Sequence, residues 1–186
     1  MHSTLNQVTA HIHTLAGDIG ERNVFHPQAL ASAASYIQRE WEQQGYDVKS
    51  QHYCTNGVDC ANLEVTREGT NGSEPIILIG AHYDSVQGSP GANDNGSGIA
   101  ALLELSRLFS SINPKISIRF VAFVNEEPPF FFWQKMGSMV YAKNVRKHQE
   151  KIRFMVSLET IGYFQDYSGS QSYPPVIKWF YPDRGN

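Results

Sequence analysis

The sequence predicts an α/β fold, a three-layer α/β/α arrangement around a mixed, mainly parallel central sheet, in a single domain spanning 1–186. Three observations carry this. The apolar runs 76–82 (IILIGAH), 116–124 (ISIRFVAFV) and 152–158 (IRFMVSL) are too short to cross a membrane and read as buried strands. Helical stretches over 99–109 (IAALLELSRLF) and 139–148 separate them, and strand–helix–strand units imply parallel pairing with right-handed crossovers. Each run also stops at charged or imidazole side chains: His82 and Asp84, then Glu126 and Glu127, then Glu159.

Nearer the amino terminus, Leu5, Val8, Ile12 and Leu15 recur at steps of three and four, which predicts an amphipathic helix ending near Gly17. His11 and His13 stand two apart on that helix, face different sides and are expected at the surface. Pro27 suits a first helical turn, Leu30, Ala33, Ala34, Ile37 and Trp41 form one stripe, and Gly45 fits the position just past the helix end. Strands are expected over 46–53 and 61–66 around NGVD, and GTNGSEP is a turn before 76–82. Three consecutive strands with short turns predict an antiparallel margin to the sheet. Ser138 is the expected cap of the helix over 139–148.

Composition excludes several functions. A net charge of −3 leaves no basic footprint for nucleic acid, and the cluster Lys143, Arg146, Lys147 reads as a solvated helix face. With 41% hydrophobic residues and a mean hydropathy of −0.37, the chain has the profile of a soluble domain. The start, MHSTLNQVTA, lacks a signal-peptide pattern and no transmembrane stretch occurs, so a cytoplasmic location without membrane contact is favoured. Cys54 and Cys60 are then expected as free thiols.

Parallel strands deliver their carboxyl ends to one crevice, so His82, Asp94, Glu126, Glu127 and Glu159 are expected to converge there. Clustered carboxylates repel one another unless a cation sits among them. One imidazole with several carboxylates suits zinc, with manganese or cobalt as substitutes. The excess of acids over one tetrahedral shell suggests two ions. Asp94, in the glycine-rich loop GANDNGSG, is the candidate bridge, because Gly91, Gly96 and Gly98 permit a tight turn. Asp84 points to the same side as His82 and is expected to hold its second ring nitrogen. The loop lacks the lysine of a phosphate-binding loop and the calcium-loop pattern, and no G-x-S-x-G elbow exists.

In this order, GAHYDS, GANDNGSG, FVNEE, MGS and SLETIGYF resemble the di-zinc exopeptidases that include bacterial leucyl aminopeptidases and glutamate carboxypeptidase II. The resemblance covers most of the chain from about residue 25. It implies that His82 binds one zinc, Asp94 bridges two, Glu126 is the general base, Glu127 binds the second ion, Glu159 completes the first site and Asp84 is the acid behind the histidine. It also implies a peptide substrate, attacked at its amino terminus. Two departures stand out: the position of Glu159 is commonly aspartate in the family, and the family's further histidine lies downstream, whereas the last histidine here is His148. The chain is therefore expected to be truncated, with C-terminal sheet and helix elements missing and an apolar, self-associating sheet edge exposed. A single-zinc glutaminyl cyclase and a non-catalytic binding domain are the alternatives. PPFFFW (128–133) is expected either to line a pocket or to pack as a loop.

Overall fold

The computed structural model describes residues 2–72, 75–176 and 179–184. Its elements are α1 (His2–Ile12), α2 (Pro27–Gln43), β1 (Lys49–Thr55), β2 (Val58–Arg67), β3 (Ile76–His82), α3 (Gly98–Ser110), β4 (Ser117–Phe123), α4 (Gly137–Lys147) and β5 (Ile152–Ser157). The sheet order is β1-β2-β4-β3-β5. The strands β4, β3 and β5 run parallel, and β2 pairs antiparallel with β4. The expected mixed, mainly parallel sheet is present. Its antiparallel margin has two strands rather than three: the β1–β2 hairpin docks on β4, which leaves β4 central and β3 parallel to both of its neighbours.

Alternation along β4 builds both layers. Ile118, Phe120, Ala122 and Val124 join Leu15, Leu30, Ile37, Trp41, Leu102 and Leu103 under α1–α3. Val121 and Phe123 join Leu78 and Tyr141 under α4. The stripe of α2 is buried as its spacing requires, and the Trp41 indole N–H donates to Ser106 Oγ at 3.0 Å. Gly45 takes φ +84 just beyond that helix.

Strand β2 is longer than expected and β1 starts and ends later than expected, because Asn56 (φ 51) and Gly57 (φ 80) alone make the turn. Tyr53 is paired with Cys60, so Cys54 and Cys60 point to opposite faces and both thiols are free. Part of the turn between β2 and β3, residues 73–74, lies outside the described residues. Ser138 does not cap α4. That helix starts at Gly137, whose N–H donates to Val124 O at 2.8 Å and whose missing Cβ leaves room for that carbonyl. Strand β5 is an edge, with Phe154, Met155 and Val156 exposed. Among the described residues no helix is long and apolar enough to cross a membrane.

His11 departs from the surface position expected of it. The helix continues past Ile12 in a widened π turn (His13–Ile19), and α1 packs on α3, leaving His11 only 4% exposed. Its Nδ1 lies 2.6 Å from Tyr36 Oη and its Nε2 3.8 Å from Glu104, which Arg107 holds in a double hydrogen bond. Burial lowers the His11 pKa, against the opposing pull of Glu40 and Glu104. A histidine whose folded value is depressed favours folding above its unfolded pKa of about 6.5, and that contribution is lost as pH falls through the folded value. At constant zinc, the wild-type unfolding midpoint should therefore fall more steeply from about pH 7.5 to about 5.5 than that of His11→Gln. Equal slopes in denaturant titrations would count against a neutral, buried His11.

Candidate metal centre

The parallel register sets the site. His82 pairs with Phe123 at the last ladder position of β3 and β4, so the segments beyond the two strands emerge side by side. Glu126 and Glu127 lie just past β4, and Glu159 just past β5. The His82 ring, 3% exposed, reaches the middle of this group. Its Nε2 lies 3.0 Å from Asp94 Oδ1, 3.5 Å from Glu159 Oε1 and 3.7 Å from Glu126 Oε2. Ligand atoms of His82, Asp94 and Glu127 all lie within 4.8 Å of one another. The expected residues are thus brought together. His148 stands apart, exposed at the end of α4, its Nδ1 against Asn144 O.

Asp84 does more than face the imidazole. Its Oδ1 accepts the backbone N–H of Glu126 and its Oδ2 that of Glu127, each at 3.1 Å. His82 Nδ1 is closer to the Asp84 backbone carbonyl (3.2 Å) than to its carboxylate (3.4 Å). One buried side chain therefore fixes the backbone of both glutamates as well as flanking the ring.

The Asp94 loop is held from below by a residue with no signal in the sequence. Arg22 is fully buried and donates to the carbonyls of Leu15, Gly20, Tyr83, Pro90 and Gly91. Burial lowers its pKa to about 10, opposed by the charges of Asp84 and Asp94. Gly91 takes φ +60, and a Cβ there would meet Asp94 O at 2.5 Å and Ser85 Cβ at 2.6 Å. Gly98 has ordinary helical angles but leaves room for Asn95 and the Leu158 carbonyl. Asn95, also unanticipated, is fully buried; its side-chain amide donates to Leu158 O (2.9 Å) and Glu159 Oε2 (3.2 Å). Through it the Asp94 loop grips the end of β5.

The electrostatics express crowding. Burial alone would lower His82, but hydrogen bonds with Asp84, Asp94 and Glu159 push it up to about 12. The His82 hydrogen bond lowers Asp94. Burial, together with the charge of Asp94, pushes Glu127 up to about 7; burial also raises Glu126. Glu127 Oε1 is buried without a hydrogen-bond partner. The upward shifts of the glutamates and of the ring have one cause in common, crowded negative charge of the kind a cation would neutralise. An imidazole, several carboxylates and an orphaned buried carboxylate oxygen fit zinc.

Beside these groups lies a cavity of about 360 Å3, lined by Asp94, Glu126, Glu127, Phe131, Glu159 and Thr160. Of the aromatic run, Phe131 faces this cavity, whereas Phe132 and Trp133 are 80% and 70% exposed. A neighbouring cavity of about 560 Å3 shares Glu159 and Thr160 and continues along Ile161, Tyr163 and Phe164.

Comparison with known proteins bears on the fold and on the family. An Escherichia coli K12 protein, YfbL, described as uncharacterized, is 37% identical over 194 aligned residues; the match covers 100% of this chain and 58% of YfbL. The structure of BSAP, a zinc aminopeptidase from Bacillus subtilis, superposes with a TM-score of 0.73 at 16% identity, covering 90% of this chain and 74% of that one. Bacteroides thetaiotaomicron glutaminyl cyclase bound to N-acetylhistamine gives 0.67 at 22% identity, covering 95% and 68%. Both share the fold. The family description "Peptidase family M28" matches residues 62–175, more than half of the chain and the stretch from within β2 to beyond Glu159, and the chain accordingly belongs to peptidase family M28.

Proposed function

We propose that this chain is the catalytic region of a zinc-dependent exopeptidase, an aminopeptidase that removes N-terminal residues from peptides. The observation that carries the reading is the orphaned Glu127 Oε1 beside His82 and Asp94, a set of donor atoms within reach of one cation. His82, Asp94 and Glu159 would hold one zinc, and Asp94 with Glu127 a second. Bound zinc supplies a Lewis acid that polarises the scissile carbonyl and makes water more acidic.

The chain's own residues do the rest. Glu126 is the general base: it takes a proton from the attacking water and returns it to the leaving amine. Its carboxyl lies 3.7 Å from the His82 ring and lines the cavity, and burial raises its pKa. Asp84 keeps Glu126 and Glu127 in place through their amides. Phe131 offers an apolar wall for the first side chain of the peptide. The glutaminyl cyclase fold relationship leaves a single-zinc enzyme as the second reading, distinguished by metal stoichiometry.

In the intact protein, Glu126→Gln should keep the wild-type zinc content by elemental analysis while kcat on leucyl p-nitroanilide falls by about 10²–10⁴. A fall that tracks zinc loss would make Glu126 a ligand instead. Asp94→Ala should lose bound zinc and, with it, the drop in thermal stability that a chelator causes in the wild type. Retention of two ions by Asp94→Ala would rule out its bridging role.

A further inference from the structure

The sheet face under α4 carries a second concave site of opposite charge. A groove of about 430 Å3 runs between β1, the 134–135 segment and α4, lined by Gln51, Tyr53, Gln134, Lys135, Val140, Lys143, Asn144 and Lys147. Three of these are lysines, three carry side-chain amides, and none is acidic. Alternation along β1 puts Lys49 on the same face as Gln51 and Tyr53. Its cross-strand partner, Glu64, is already engaged by the Tyr141 hydroxyl.

Cations in the last turn of a helix complement its dipole, and that accounts for Lys147 and for Arg146 beside it. It does not account for Lys135, which comes from another segment and is turned into the groove. Its ammonium donates to Cys54 O at 2.8 Å, which fixes the charge at the rim. Arg146, on the same turn as Lys147, instead borders the apolar cleft beside β5. In a chain of net charge −3, lysines from two segments meet over one cavity.

We propose that this groove binds a small molecule carrying more than one phosphate group. The volume falls in the range of small-ligand sites. Ammonium groups are compact point charges that serve phosphate, and three of them spread over one cavity match a ligand with more than one anionic group. Gln51, Gln134 and Asn144 add amide donors for oxyanions, and the Tyr53 ring and Val140 give an apolar floor for the body that carries the phosphates. Tyr53 is anchored: its hydroxyl donates to Lys135 O at 3.1 Å and accepts from Asn125 Nδ2 at 3.2 Å. The floor is therefore preformed. The site does not depend on the peptidase reading.

The test is calorimetric titration of the intact protein with fructose 1,6-bisphosphate, beside methyl phosphate. One saturable site per chain is expected, weaker for the monophosphate and weakening further as salt rises from about 50 to about 300 mM. Lys143→Glu/Lys147→Glu should weaken binding about tenfold or more, and Lys135→Gln should weaken it less. Lys143→Gln/Lys147→Gln repeats the test should the reversal disturb the helix. Lys115→Glu, at the far end of the sheet, and Asp94→Ala should leave binding unchanged. The proposal is overturned by no saturable binding, by equal losses in Lys115→Glu, or by binding that survives in the lysine variants and vanishes in Asp94→Ala, which would place the anion at the metal centre.

Discussion

The site depends on one buried carboxylate that joins two strand ends. Asp84 leaves β3 just after His82 and accepts the amide hydrogens of Glu126 and Glu127 where β4 ends. Hydrogen bonds to an ionised acceptor are among the stronger ones, and burial makes a lost partner costly. Side chains that repel one another are thus held at fixed positions by backbone geometry that does not yield to the repulsion. What remains is a cluster with a negative surplus and an unpaired oxygen on Glu127, an arrangement that calls for a cation.

A second buried charge serves the same end from beneath. A lone guanidinium in a protein interior is costly, and Arg22 is tolerated because five carbonyl oxygens receive its N–H groups and because Asp84 and Asp94 are close enough for their charges to support it. Three of those carbonyls, of Tyr83, Pro90 and Gly91, belong to the segment that leads from β3 to Asp94. Arg22 therefore ties the segment before α2 to the loop that carries the candidate bridge. Asn95 supplies the matching tie to β5. The acidic centre has a rigid support on each flank.

The two faces of the sheet have different chemistry. Under α1–α3 the packing is mainly apolar, with polar groups satisfied internally in the His11–Tyr36–Glu104 set, the Trp41–Ser106 pair and around Arg22. Under α4 the apolar cluster is small and is bordered by the Arg119–Glu64–Glu150 network and the lysine groove. The segment after Glu127 serves both sites, with Phe131 on the acidic cavity and Gln134 and Lys135 on the basic groove. Acidic and basic pockets thus flank a single loop.

The sequence by itself determined the layers and the membership of the acidic centre. Apolar runs of strand length separated by helical spacing leave few other ways to bury both faces of a sheet, and parallel strands bring His82, Glu126 and Glu159 to one edge whatever their order. The tertiary structure decided what depends on contacts between distant segments. That the β1–β2 hairpin docks on β4 rather than β3 is a choice between edges that local pattern does not encode. His11 reads as a surface residue until α2 and α3 close over it, and Ser138 as a cap until Gly137 meets the Val124 carbonyl. Arg22 carries no motif, and its role comes from where five carbonyls point. Periodicity records which face a residue occupies; partners across the fold are fixed only when the chain has closed around them.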